Sequence, residues 1–349
     1  MSSSLWTNME IEGATNASTD GRNWSASGVS IDSRKVQPKD IFIAFKGSRV
    51  DGHCYVADAF EKGAAAAIVE RKIDGLSEER PILIVENVQK ALFQIACLAR
   101  NRSEAEFVAV TGSVGKTSSK NLLAKALAQF DSVHATIGNL NNHIGAPLSL
   151  ARLHGSSRFA VFELGMNNTG EIAFLSNLIR PKVALITNVH GVHLEQLKTE
   201  RAIAEAKSEI FNGLLENGSV VLNQDNPWID FLKSRAEKKG IKNIITFGED
   251  KKSDVQLLEW QSGEGKGFVK IRLNNETHQY VLSETGKHRA LNSVGVLAVV
   301  HALGLDIRHA AECFKSISTP VGRGGQKNID LTTGETFCLV DESYNASPV

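Results

Sequence analysis

Residues 111–118 read TGSVGKTS, set between an apolar run at 107–110 (FVAV) and a segment carrying Leu122, Leu123, Ala126, Leu127 and Phe130 at helical spacing. A strand that turns through glycines into a helix headed by Lys and Thr is an arrangement that binds polyphosphate. The glycines let the backbone approach an anion, successive N–H groups point inward, and the helix N-terminus adds a favourable dipole. In this reading Thr111, Gly112, Ser113, Val114, Gly115, Lys116, Thr117 and Ser118 form the phosphate loop. Lys116 reaches the terminal phosphates and the Thr117 hydroxyl stands where Mg²⁺ binds. The loop departs from GxxxxGK[ST] at Val110, where that pattern has glycine, so the motif is the shorter TGxxGK[ST].

The loop opens a regular alternation. Runs at 159–164 (FAVFEL), 183–188 (VALITN), 219–223 (SVVLN) and 243–247 (NIITF) read as strands, with helical patterns between several of them. This predicts an α/β fold with a largely parallel sheet and covering helices. Residues 254–283 read as a small antiparallel insertion, and helices are expected at roughly 288–303 and 306–316. A new strand opens at 337–340. Before the loop, strands are expected at 41–45 and 82–85, a helix at 56–63, and a polar linker at 101–106.

The chain has 349 residues, enough for about two domains on a ~150-residue prior. Its formal net charge is zero and no basic stripe stands out, so a nucleic-acid backbone or an anionic membrane is not the expected partner. Cys54, Cys97, Cys313 and Cys338 are scattered and form no CxxC pair, which fits reduced thiols better than a disulfide framework or a zinc site. The N-terminus lacks a secretory pattern, and the longest nearly apolar stretch, 294–305, is too short to span a bilayer. The expected location is the cytoplasm.

In open α/β sheets ligands bind beyond the carboxyl ends of the strands. Glu163 ends one expected strand, and His190 and His193 follow another. A carboxylate there can share Mg²⁺ with a nucleotide, with imidazole completing the shell. Lys207 has Ile203, Ile210 and Phe211 at i−4, i+3 and i+4. Either it snorkels from an apolar stripe or it points into the cleft as a charge partner. Asn292 lies one turn after His288 on an apolar helix and is placed to read a base, and capping explains His288. Arg323, in GRGG, suits phosphate contact or a solvated loop. A GTPase switch is disfavoured, because TNVHG (187–191) has Gly191 where guanine-reading NKxD has aspartate.

Taken in order, TGSVGKTS, GNLNNHIGAPLSL (138–150), FELGMNNTGEI, NVHGVHLE, AKSEIF (206–211), GKHRALN, GRGG and DESYNASP (341–348) resemble the Mur ligases. The stretches SIDSRKVQPKDIFIAFKG (30–47) and DGHCYVADAFEKGA (51–64) resemble that family's uridine-nucleotide domain. The resemblance implies a precursor-binding domain at 1–103, a central ATP-binding domain at 104–325, and the start of a Rossmann-like domain at 326–349. It implies ATP-dependent joining of D-alanyl-D-alanine to UDP-N-acetylmuramoyl-tripeptide through an acyl phosphate, by a monomer that uses ATP and Mg²⁺. Residues 112 and 115–118 hold the ATP phosphates on this basis, and Glu163 and His193 ligate Mg²⁺. Lys207 matches a lysine carbamylated to bind a second Mg²⁺. Asn292 contacts adenine, Arg323 the phosphates and Asp341 the ribose. Ser33, Arg34, Lys46, Asp51, Gly52 and His53 lie near the uridine diphosphate.

Because the sequence stops at Val349, where the third domain has barely begun, the expectation is a chain that binds the uridine nucleotide, and ATP weakly, but ligates poorly or not at all. A family member adding the third peptide residue, a folylpolyglutamate synthase and a nucleotide-binding remnant without turnover are the other readings.

Overall fold

The computed structural model describes residues 4–19, 21–191, 199–263, 265–317, 325–331, 334–341 and 343. By contacts the chain divides into two units, Met1–Glu106 with His134–Ala160, and Phe107–Val133 with Val161–Val349. The sequence-based border at 103/104 becomes 106/107, and the segment expected in the central domain at 134–160 groups with the first unit. The expected linker is shorter than its polarity implied. A helix runs to Arg102 and a strand starts at Glu106.

The first unit opens with helix α1 (Asn8–Thr15), started by a capping box in which Thr7 and Glu10 satisfy each other's backbone N–H. Four short strands follow: β1 (Gly28–Ser30), β2 (Asp40–Ile43), β3 (Ala66–Val69) and β4 (Ile82–Ile84). They pair in chain order and all in parallel, with helix α2 (Val56–Glu61) between β2 and β3. Parallel strands covered on both faces are apolar at every position, as Ile41, Phe42 and Ile43 are. Helix α3 (Val88–Arg102) buries Val88, Ala91, Leu92, Ile95, Ala96 and Ala99, a stripe with the 3.6-residue period. The short helix Gly145–Ala151 returns to this core, placing Leu148 and Ala151 among Trp6, Ile43, Leu83 and Ile95. Trp6 Nε1 donates to the Ala151 carbonyl at 2.7 Å, which closes the contact.

The second unit is the expected α/β alternation. Its elements are β5 (Glu106–Thr111), α4 (Lys116–Leu127), β6 (Phe159–Glu163), α5 (Glu171–Ile179), β7 (Val183–Ile186) and α6 (Glu200–Ser208), then β8 (Ser219–Asn223), α7 (Ile229–Lys238) and β9 (Asn243–Gly248). An antiparallel meander of β10 (Val255–Gly263), β11 (Lys266–Leu273) and β12 (Glu276–Leu282) follows, as the sequence predicted. It extends the main sheet, because β10 pairs in parallel with β9. The order across the sheet is β12-β11-β10-β9-β8-β7-β5-β6, followed at the edge by the short strand Val133–Ala135, with β5, β7, β8 and β9 mutually parallel. Helix α8 (Lys287–Ala302) packs on β7 to β10 and on α4. From Ser293 to Val300 every residue is buried, the signature of a helix covered on all sides. The apolar stretch at 294–305 is therefore core. Among the described residues no helix is long and apolar enough to cross a membrane. Strands β13 (Gly325–Asp330) and β14 (Thr336–Asp341) pair as a hairpin.

Candidate active site

The chain goes from β5 outward to β6 on one side and from β7 to β8 on the other, so β5 and β7 flank a topological switch point. That is where open α/β sheets place ligands, beyond the carboxyl ends of the strands. The phosphate loop follows β5, and the segment Thr187–His190 follows β7. The two are tied together by hydrogen bonds. Ser113 N donates to the Asn188 carbonyl at 3.0 Å, and Val114 N donates to Asn188 Oδ1 at 3.0 Å. Thr187 Oγ1 donates to the Val114 carbonyl at 2.6 Å. Ser113 Oγ donates to the His190 carbonyl and accepts from His190 N, each at 2.9 Å. From β8, the amides of Asn223 and Asn226 donate to the Thr187 and Val189 carbonyls.

Two glycines are required by this packing. A Cβ on Gly112 (φ 153°) would stand 1.9 Å from Thr187 Oγ1, and one on Gly115 (φ 81°) would stand 2.8 Å from Asn292 Oδ1. The second contact also places Asn292, from the first turns of α8, directly against the loop. Lys116 Nζ donates to the carbonyls of Gly112 and Ser113 at 2.8 and 3.2 Å, so the ammonium sits in the curl of the loop. Thr117 is buried at the start of α4. Thr111 serves the scaffold, since its hydroxyl donates to the Leu164 carbonyl at 2.9 Å. Ser113 likewise holds the loop to the β7 segment.

Glu163 is 2% exposed at the end of β6, and Leu164 N bonds the Val110 carbonyl, so this carboxylate lies beside the start of the loop. Lys207 on α6 is also 2% exposed. Burial holds its ammonium well below the usual lysine pKa, and the charge of Lys116 pushes the same way. Its burial sets Lys207 apart from a snorkelling surface residue, and the Lys116 charge is near enough to act on it. Two residues on, Glu209 accepts from Gly170 N at 2.7 Å and Ala173 N at 3.1 Å, which caps α5. His193 and Arg323 lie outside the described residues. Asp341 ends β14, with Oδ1 accepting from Ser343 N.

Next to the loop, a cavity of about 400 Å³ is lined by residues of α4, the end of β12, the first turns of α8, and Phe314 and Ile317. Its polar corner holds Ser118, Glu284, Arg289 and Asn292, and its far wall is apolar. Arg289 and Glu284 were not legible as site residues. Arg289 lies within GKHRALN, but its partner Ser118 is 171 positions away, and no local pattern pairs it with Glu284.

In the first unit the family-derived substrate residues also follow parallel strands. Ser33 and Arg34 follow β1, and Lys46 to His53 follow β2. Asp32 accepts from Arg34 N and Nε, and the Arg34 guanidinium holds the Asp32 carboxyl down to about 2. Asp51 caps the turn Gly52–Tyr55 and accepts from His53 Nδ1 at 2.6 Å and from Arg71 at 3.0 Å. His53 Nε2 accepts from Glu70 N at 2.9 Å, which fixes the tautomer with hydrogen on Nδ1 and makes His53 a buried clamp between loops.

The architecture has counterparts among known proteins. A family model described as the Mur ligase middle domain matches residues 110–300, and one described as Mur ligase family, catalytic domain, matches 25–100. The UDP-N-acetylmuramoyl-tripeptide--D-alanyl-D-alanine ligase of Rickettsia prowazekii is 36% identical over 321 residues, covering 92% of this chain and 70% of the relative. A crystal structure of MurF from Acinetobacter baumannii superposes with a TM-score of 0.85 at 29% identity, covering 98% of this chain and 74% of that one. The MurF ligase of Thermotoga maritima, solved in complex with ADP, gives 0.76 at 31% identity, covering 93% and 72%. With the middle-domain model alone spanning over half of its length, the chain belongs to the Mur ligase family.

Proposed function

We propose that this chain joins D-alanyl-D-alanine to UDP-N-acetylmuramoyl-tripeptide at the expense of ATP, in assembly of the peptidoglycan precursor. The observation that carries the reading is the glycine-turned loop at the β5–β7 switch point, with Lys116 curled inside it and Asn292 packed on its rim. The relatives named above support the choice of substrates.

A carboxylate does not condense with an amine at neutral pH without activation. The terminal carboxylate of the tripeptide attacks the γ-phosphorus of ATP, giving an acyl phosphate and ADP. The dipeptide amine then attacks the acyl carbon, phosphate leaves, and the amine proton is lost. The loop N–H groups and the α4 N-terminus hold the phosphates. Lys116 exchanges its two carbonyl partners for phosphate oxygens and stabilises charge that grows in transfer. Asn292 lies on the adenine side and, on the family pattern, Arg323 on the phosphate side and Asp341 on the ribose side. Ser33, Arg34, Lys46 and the 51–53 turn belong to the uridine diphosphate.

Magnesium fits the residues present. Mg²⁺ prefers oxygen donors and is held by one or two carboxylates plus substrate phosphates, and Thr117 and Glu163 offer a hydroxyl and a buried carboxylate beside the loop. His193 completes the set on the family pattern. Bound there, the ion would supply neutralisation of the phosphate charge. As an amine Lys207 is no ligand for a hard cation. On the family pattern it would add carbon dioxide and release a proton to become a carbamate, which is one, and burial, which lowers its pKa, favours the amine form that reacts.

The test mixes the chain with ATP, Mg²⁺, UDP-N-acetylmuramoyl-tripeptide and D-alanyl-D-alanine and weighs the products. We expect a species at the summed substrate masses less one water, together with ADP, and neither with Lys116→Ala. Equal ADP release by that variant would contradict the assignment.

A further inference from the structure

Arg289, within the GKHRALN run, stands at the junction of the loop and the cavity. Its Nη1 donates to Ser118 Oγ at 3.0 Å, and its Nε lies 3.1 Å from Glu284 Oε2. Both charged side chains are largely withdrawn from solvent, at 12% and 18% exposure. Ser118 and Asn292, the neighbours of Arg289 on α4 and α8, line the same cavity. Helix α8 has no side-chain cap and no acidic residue in its first turn, which instead carries Lys287, His288 and Arg289. A cation in the first turn opposes the helix dipole, so local helix stability does not explain Arg289.

A bound nucleotide has a defined direction in this site. If the terminal phosphates occupy Gly115 to Thr117, as the phosphate-loop reading has them, the adjoining cavity is the space left for the rest of the nucleotide, with Ser118 and Arg289 in its polar lining and Leu122, Phe314 and Ile317 in its apolar wall. In that arrangement the phosphate nearest the sugar would lie beside the guanidinium. Glu284 and Ser118 fix the plane of Arg289 before any ligand arrives, and a pre-oriented guanidinium matches phosphate oxygens in pairs.

We propose that Arg289, held by Ser118 and Glu284 at the corner of the 400 Å³ cavity, is a specificity-determining contact that reads the sugar-proximal phosphate of the nucleotide and so separates nucleotides from bare polyphosphates. The inference rests on the phosphate-loop reading above and deepens it. Lysine keeps the charge and loses the paired geometry, so Arg289→Lys is an intermediate case, whereas Arg289→Ala removes both.

The experiment is calorimetric titration of the wild type, Arg289→Ala, Arg289→Lys and Lys116→Ala with ADP and, separately, with pyrophosphate, in the presence of Mg²⁺, each variant first checked by its thermal melt. For Arg289→Ala the expected result is at least a tenfold loss of ADP affinity with pyrophosphate affinity within about twofold of wild type. Arg289→Lys falls between, and decides the matter should the alanine variant melt early. ADP affinity unchanged in both variants overturns the proposal. So does an equal loss for ADP and pyrophosphate, which would make Arg289 a support of the loop alone. Lys116→Ala separates the two levels of the argument. It should lose both ligands, and if it binds them normally the phosphate-loop reading itself fails.

Discussion

Lys207 shows how one residue can be costly to the fold and still be kept. A lysine 2% exposed, near a second ammonium, is disfavoured in its charged form. Unfolded, it titrates near 10.5, and folded, well below that. Between those two values the unfolded chain binds the extra proton. Stability therefore rises as pH climbs through this window and the penalty vanishes above it. Lys207→Met keeps the volume and removes the titration. It is expected to be more stable than wild type at pH 7, with the gap closing towards pH 10.5. Urea unfolding at several pH values measures this directly, and a gap that is flat with pH would mean Lys207 is not held neutral. The same variant should bind ADP yet lose ligation, because the proposed role is in charge management at the reacting group.

At the scale of elements, the site depends on how loops after different strands are tied to one another. Glu209 is the clearest case, since its carboxylate accepts two backbone N–H groups at the start of α5, from a turn that directly follows α6. It thereby links the Lys207 helix to the loop that follows Glu163. Glu209→Ala leaves those donors without a charged acceptor and is expected to cost about 1–2 kcal/mol in chemical denaturation, with Glu209→Gln costing less. No measurable loss in the alanine variant would show that water replaces the carboxylate freely. This also marks what the sequence makes legible. The phosphate loop was readable because its parts are consecutive and strand, glycine turn and helix each leave a local trace. Glu163 and Lys207 drew notice from their positions on a strand end and on an apolar stripe, and both are buried. Asn188, Glu209 and Arg289 act through partners 36 to 171 positions away, namely Val114, Gly170 with Ala173, and Ser118, and no local pattern encodes a partner. The β10–β12 meander was legible as antiparallel, but its fusion to the main sheet through β9 depends on tertiary pairing.

At the scale of the molecule, the first unit is discontinuous. The chain leaves it after Glu106 and comes back for His134–Ala160, where Leu148 and Ala151 pack among core residues from the first hundred positions. A single border implied by the family resemblance does not show this, because the returning segment is short and its apolar residues fit either unit by pattern alone. Both units nonetheless obey one rule, with parallel strands delivering the polar residues of interest to loops beyond their carboxyl ends. In the second unit the loops after β5 and β7 meet at the switch point, and a claim about phosphate follows. The most direct test is a crystal structure of the chain soaked with a non-hydrolysable ATP analogue and Mg²⁺. The account predicts the β- and γ-phosphates within hydrogen-bond distance of backbone N–H groups of residues 114–118 and of Lys116 Nζ, with the base in the cavity beside Asn292. A nucleotide lodged elsewhere, with that loop bare of phosphate, would contradict it.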